Sequence, residues 1–179
     1  MNYRRVYIPG GTYFFTVVTY QRRPILSSPA RVEQLRSAFR YTIERMPFTI
    51  VASAILPDHM HFIWALPAGQ TDFSTRWRLI KSHFTRSMEP LKTPSDAPSR
   101  AGKGEKDIWQ RRFWEHLLFD EVDLTRHIDY IHYNPVKHGL VRSPIEWKFS
   151  SFHQYLDMGM VSPDWGADGT VWEGIPTME

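Results

Sequence analysis

The stretch FTIVASAILPDHMHFIWAL, residues 48–66, decides the fold. Two runs rich in β-branched and aromatic residues, 48–56 and 59–66, are separated only by Pro57-Asp58, which predicts two strands joined as an antiparallel hairpin. Side chains alternate between faces along a strand. Met60, Phe62, Trp64 and Leu66 therefore form one apolar face, expected to pack on helices, while His59 and His61 project together from the other, expected to be exposed. Two adjacent imidazoles suit a divalent metal. A bare His-x-His is also what a wet sheet face displays, so both readings stand at this point. A metallo-β-lactamase-like site would want Asp-His soon after the pair, and a cupin a Glu a few residues on. The chain continues FIWALP, with no Glu between His61 and residue 89, so neither fits.

Working outward, TYFFTVVTY (12–20) predicts a strand preceded by Gly10-Gly11. Ser28-Pro29 reads as an N-cap with proline at the first helical position, and Val32, Leu35, Phe39, Ile43 and Met46 follow at helical spacing up to Pro47. A second helix is predicted from about Asp72 to Met88, with Phe73, Trp77, Ile80 and Phe84 as its apolar stripe. Residues 89–107, rich in Pro, Ser, Gly and Lys, read as a flexible insertion inside one domain. IWQRRFWEHLLF (108–119) predicts a fourth strand, and Asp120 caps a third helix over 121–134 that stops where Asn134 meets Pro135. The order β-α-β-β-α-β-α implies an α+β fold, a small antiparallel sheet with helices on one face.

The 179 residues fit one domain, and 42% hydrophobic with 15% aromatic content excludes a wholly disordered chain. There are no cysteines, which excludes disulfides, thiolate metal sites and a cysteine nucleophile. No apolar run approaches the roughly 20 residues of a membrane span, and MNYRRVYIPGG lacks the apolar stretch of a signal peptide, so a cytoplasmic protein is expected. The net charge of +3 hides an asymmetry. All 22 Lys and Arg lie in residues 1–150 with 14 acids, a balance of +8, while residues 151–179 carry five acids and no Lys or Arg. A basic body suits a polyanion, although many soluble domains carry such a charge with no nucleic acid involved. The acidic tail from 154 reads either as a flap that folds over the basic groove and competes with such a polyanion or as a solubilising terminus.

The third helix holds His127, Tyr130 and Asn134 on one face. Tyrosine, with a pKa near 10, is a poor nucleophile unless it or its electrophile is activated. A metal polarising a phosphate would do that, with Asn134 as an oxygen ligand beside the histidines. Equally, Tyr130 could be an amphipathic core residue and Asn134 a helix C-terminal residue before proline. Tyr133 competes for the nucleophile's role but points about 100° away from Asn134. Cations interleave with aromatics at Arg4, Arg5, Arg22 and Arg23, then Arg76, Trp77, Arg78 and Lys81, then Trp109, Arg111, Arg112 and Trp114, as in proteins that hold single strands.

YRRVYIPGGTYFFTVVTYQRR, LPDHMHFIWALP, FSTRWRLIKSHFT, IWQRRFWEH and HIDYIHYNPVKHGLV together resemble the REP-associated tyrosine transposases, a branch of the single-tyrosine HUH transposases, over roughly residues 3–153. The resemblance implies a ferredoxin-like HUH nuclease domain over 1–153, with the HUH pair on a central strand and an acidic tail over 154–179. It implies a metal-dependent enzyme that cleaves and rejoins single-stranded DNA at repetitive extragenic palindromes. Tyr130 would be the nucleophile forming a 5′-phosphotyrosine, and His59, His61 and Asn134 the ligands of Mg²⁺ or Mn²⁺. Related enzymes often carry glutamine where Asn134 stands. Arg4, Arg5, Arg22, Arg76, Arg78, Lys81, Arg111, Arg112 and Lys137 are the expected DNA contacts, mostly through phosphates. Single-stranded or hairpin DNA is the expected partner and a monomer the expected state, with a homodimer as the alternative. The competing functions are a non-catalytic RRM-like binding module, a domesticated inactive transposase and a small-molecule metallohydrolase.

Overall fold

The hairpin predicted at 48–66 forms, as β2 (Thr49–Ile55) and β3 (His59–Ala65). In the computed structural model, which describes residues 6–88 and 106–167, they belong to an antiparallel sheet ordered β2-β3-β1-β4. Here β1 is Thr12–Val18 and β4 is Trp114–Leu117. The histidine strand is thus central: His61 sits opposite Thr16 of β1 on one side and Ala54 of β2 on the other.

Helices α1 (Pro29–Arg45) and α2 (Phe73–Ser87) start where the sequence places them. Ser28 Oγ accepts from the Arg31 amide at 3.3 Å, and Asp72 Oδ1 from the Thr75 amide at 2.8 Å, each satisfying an orphan N–H of a first turn. Both helices cover the face carrying Met60, Phe62 and Trp64; Phe39 stacks on Phe62 at 4.6 Å and Trp77 on Trp64 at 4.2 Å.

The expectation that all helices share one face is corrected by α3 (Glu121–Lys137), which lies on the opposite side of the sheet. The reason is the composition of that face. Phe14, Ala52, Ala54 and Ile63 alternate with the first core's residues and are as apolar, so they need cover, and Tyr130 and Ile131 of α3 supply it. His59 and His61, expected on an exposed face, are consequently buried, 2% and 0% exposed.

Two boundaries also move. Asp120 caps α3 as expected, accepting from the Asp123 amide at 2.8 Å, but the helix passes Pro135 and runs to Lys137. So near the C-terminus proline removes one helical bond, and the turn still closes through His138 N–H to Asn134 O at 3.0 Å and a left-handed Gly139. The fourth strand is shorter than 108–119, because only Trp114–Leu117 reaches a ladder with β1; Trp109 makes an isolated bridge to Thr19 instead.

The expected boundary at 153/154 falls inside α4 (Phe152–Asp157), and Trp165 packs on Phe152 at 5.8 Å. The expected insertion at 89–107, apart from its last two residues, and the end of the acidic tail from 168 lie outside the described residues. Among those described, no helix is long and apolar enough to cross a membrane.

Candidate active site

Strand β3 delivers both imidazoles to the space beneath α3, and each is oriented through Nδ1. His59 Nδ1 donates to Asp58 Oδ1 at 2.6 Å, which leaves its Nε2 with the lone pair. His61 Nδ1 meets Thr16 Oγ1, its cross-strand neighbour, at 2.9 Å. Both Nε2 atoms are buried without a hydrogen-bond partner. Burial holds the pKa of His59 below 6.5 against the opposing carboxylate of Asp58. Burial puts His61 well below 6.5, and the positive charges of Lys137 and Arg22 act in the same direction. Both rings are therefore neutral at pH 7, the form a metal binds. Asp58 stays ionised: its desolvation is outweighed by bonds from His59 and from Arg22, whose Nη1 lies 3.1 Å from Oδ2.

The third helix brings Tyr130, Asn134 and His138 to this space at successive turns. The Tyr130 ring lies 5.2 Å from His61, and that of His138 lies 4.8 Å from His59. Asn134, midway between them and fully buried, has neither amide atom hydrogen-bonded. Lys137 Nζ lies over the Tyr130 ring at 5.1 Å. Tyr133 points elsewhere, toward Gly166 and Pro144.

Two imidazole nitrogens and a carboxamide oxygen, all buried and all lacking a protein partner, fit a divalent cation. A second group, His116, Asp123 and His127, also has metal-ligating side chains close together. There, however, ring nitrogens already have protein partners: His116 Nε2 bonds Asp123 Oδ2 at 2.9 Å and His127 Nδ1 the Asp123 backbone carbonyl at 2.8 Å.

The expected DNA contacts divide. Arg76 is corrected: it is fully buried, and its guanidinium donates to the backbone oxygens of Met46, Asp72 and Pro47 and to Gln70 Oε1. Its place on α2, three residues after Phe73 and four before Ile80, puts it on the apolar side of the helix and accounts for this. Arg78, Arg111 and Arg112 are exposed, Arg22 is half-exposed on Asp58, and Lys81 Nζ donates to the Gln110 carbonyl at 2.7 Å. Arg4 and Arg5 lie outside the described residues.

Sequence reading missed Asp58, Thr16 and His138 as parts of the site. The first is adjacent to His59 and the third follows Asn134 by one helical turn, so both carried a local signal. Thr16 did not, because its role depends on the register of β1 against β3.

Residues 9–134 match the family described as IS200-like transposases. A REP-associated tyrosine transposase of Escherichia coli K12 is 44% identical over 169 residues, covering 94% of this chain and 93% of that one. A relative from Haemophilus influenzae is 42% identical over 167 residues, covering 93% and 94%. The solved structure of a REP-associated tyrosine transposase bound to a REP hairpin superposes with a TM-score of 0.76 at 42% identity, covering 92% of this chain and 90% of that one.

Proposed function

This chain belongs to the family of IS200-like transposases, and we propose that it is a REP-directed tyrosine transposase that cleaves and rejoins single-stranded DNA beside hairpins, with Tyr130 as nucleophile. The observation that carries this reading is the Tyr130 ring 5.2 Å from His61, in a buried space where both imidazole Nε2 atoms and the Asn134 amide have no protein partner.

His59, His61 and Asn134 are the residues that would hold a divalent cation, Mg²⁺ or Mn²⁺, which when bound supplies neutralising charge at the scissile phosphate. The chain's own groups do the rest. Asp58 and Thr16 fix the two rings so that both Nε2 atoms face inward. The Tyr130 oxygen attacks phosphorus; a Tyr–O–P bond forms, the P–O3′ bond breaks, and the leaving oxygen becomes a 3′-hydroxyl as tyrosine gives up its proton. Lys137 Nζ, 5.1 Å from the centre of the Tyr130 ring, brings positive charge beside the nucleophile. Phosphoester replaces phosphoester, so an incoming 3′-hydroxyl reverses the step and joins strands without added energy. Exposed Arg78, Arg111 and Arg112 supply phosphate contacts on the DNA.

The test replaces His59 and His61 by alanine together. Metal-dependent cleavage of a flanked REP hairpin is expected to be lost while far-ultraviolet circular dichroism stays that of the wild type. Cleavage at the wild-type rate would overturn the ligand assignment.

A further inference from the structure

Three tryptophans alternate with cations in the sequence, and the structure sorts them. Trp77 is fully buried and Trp109 is 6% exposed, both in the core; Trp114 is 40% exposed, on the edge strand β4. Close by, Phe119 is 74% exposed. Holding such rings in water forfeits apolar burial, and clustered exposed aromatics mark a surface that something covers.

The cluster is built as a stack. Trp114 and His116, two residues apart on one face of β4, lie 5.9 Å apart with planes 9° from parallel. His116 in turn stacks on His127 of α3 at 4.9 Å and 14°. Asp123 locks the tier, bonding His116 Nε2 at 2.9 Å and lying 3.1 Å from His127 Nδ1. Phe119 meets the edge of His116 at 5.9 Å. Trp114 is thus the outer plate of a rigid ladder of parallel rings, set before any ligand arrives.

Its position relative to the chemistry is fixed by one side chain. Phe14 touches Trp114 at 5.6 Å, His61 at 5.5 Å and Tyr130 at 5.9 Å. Exposed Arg111 and Arg112, separated from the strand by Phe113 alone, bring positive charge. Flat rings with neighbouring guanidinium groups select a stacked base with its phosphates.

We propose that Trp114, braced by His116 and Phe14, is a stacking plate for one nucleobase of the single strand that leads into the Tyr130 site. This rests on the function proposed above and adds a subsite to it. One ring lies between the plate and the nucleophile, so the stacked base belongs to the scissile nucleotide or to a close neighbour.

The experiment uses the full chain and two probes, the REP hairpin bound by the solved relative with and without its single-stranded flank. In the flanked probe 2-aminopurine is placed at each flank position in turn. Wild-type protein is expected to quench one position strongly. Trp114→Leu should lose that quenching and bind the flanked hairpin about tenfold more weakly, in line with the cost of one lost stack, while binding the bare hairpin as the wild type does. Trp114→Phe should restore most of the affinity. Equal weakening toward both probes, unchanged affinity for the flanked one, or a Trp114→Phe variant as weak as Trp114→Leu would overturn the proposal. A wild-type chain that forms no covalent adduct with the flanked hairpin would overturn the function beneath it as well.

Discussion

Arg76 and Arg78 stand two residues apart in the sequence and do opposite things. Arg78 faces solvent, whereas Arg76 ties the start of α2 to the loop after α1 through three backbone oxygens and Gln70. Charge-assisted bonds of this kind are costly to remove, because the acceptors stay buried when the donor goes. Arg76→Ala is expected to lower stability by about 3 kcal/mol in urea unfolding. Arg78→Ala should leave the unfolding midpoint unchanged and weaken hairpin binding. The opposite pattern would return Arg76 to the DNA surface. Nothing in the local sequence separates these two arginines except phase: Arg76 lies beside Phe73, Trp77 and Ile80 on the helix, and weighing that phase would have identified it as buried.

Among the elements, the Tyr130 helix is where local signals served best and then failed. Its cap at Asp120 and the shared face of Tyr130 and Asn134 were legible, since both depend on spacing of three or four residues. Its side of the sheet was not, because that follows from Phe14, Ala52, Ala54 and Ile63, which lie on three different strands. The Asp123 clamp was also invisible, since His116 reaches it only after β4 pairs with β1. Burial of Asp123 works to raise its pKa, and bonds from His116 and from the Phe119 amide outweigh it, leaving the carboxyl below 3.8. Its contribution to stability is therefore complete above the unfolded value near 4 and fades as pH falls toward the depressed folded value. Asp123→Asn is expected to be less stable than the wild type at pH 7, with the gap closing below about pH 4. A gap that stayed constant from pH 7 to pH 3 in urea unfolding would contradict the clamp.

At the scale of the whole molecule, the sheet is a partition. One face, under α1 and α2, carries most of the aromatic core and gives stability; the other, under α3, carries the histidines, the tyrosine and the asparagine. The +8 balance over residues 1–150 serves the second function only through those cations that reach solvent. With Arg22, Arg78, Arg111, Arg112 and Lys137 as phosphate partners, hairpin affinity is expected to fall about five-hundredfold between 50 and 200 mM salt. A fall of less than about fivefold would mean that these cations do not touch the backbone.

The proposed chemistry turns on Tyr130 as the nucleophile. Denaturing mass spectrometry of the protein after incubation with a flanked REP hairpin and Mg²⁺ or Mn²⁺ tests it directly. Wild type and Tyr133→Phe are expected to gain the mass of the cleaved strand, with the linkage mapping to Tyr130, while Tyr130→Phe binds the hairpin and gains nothing. An adduct of normal yield in Tyr130→Phe, or one mapping to Tyr133, would contradict the account.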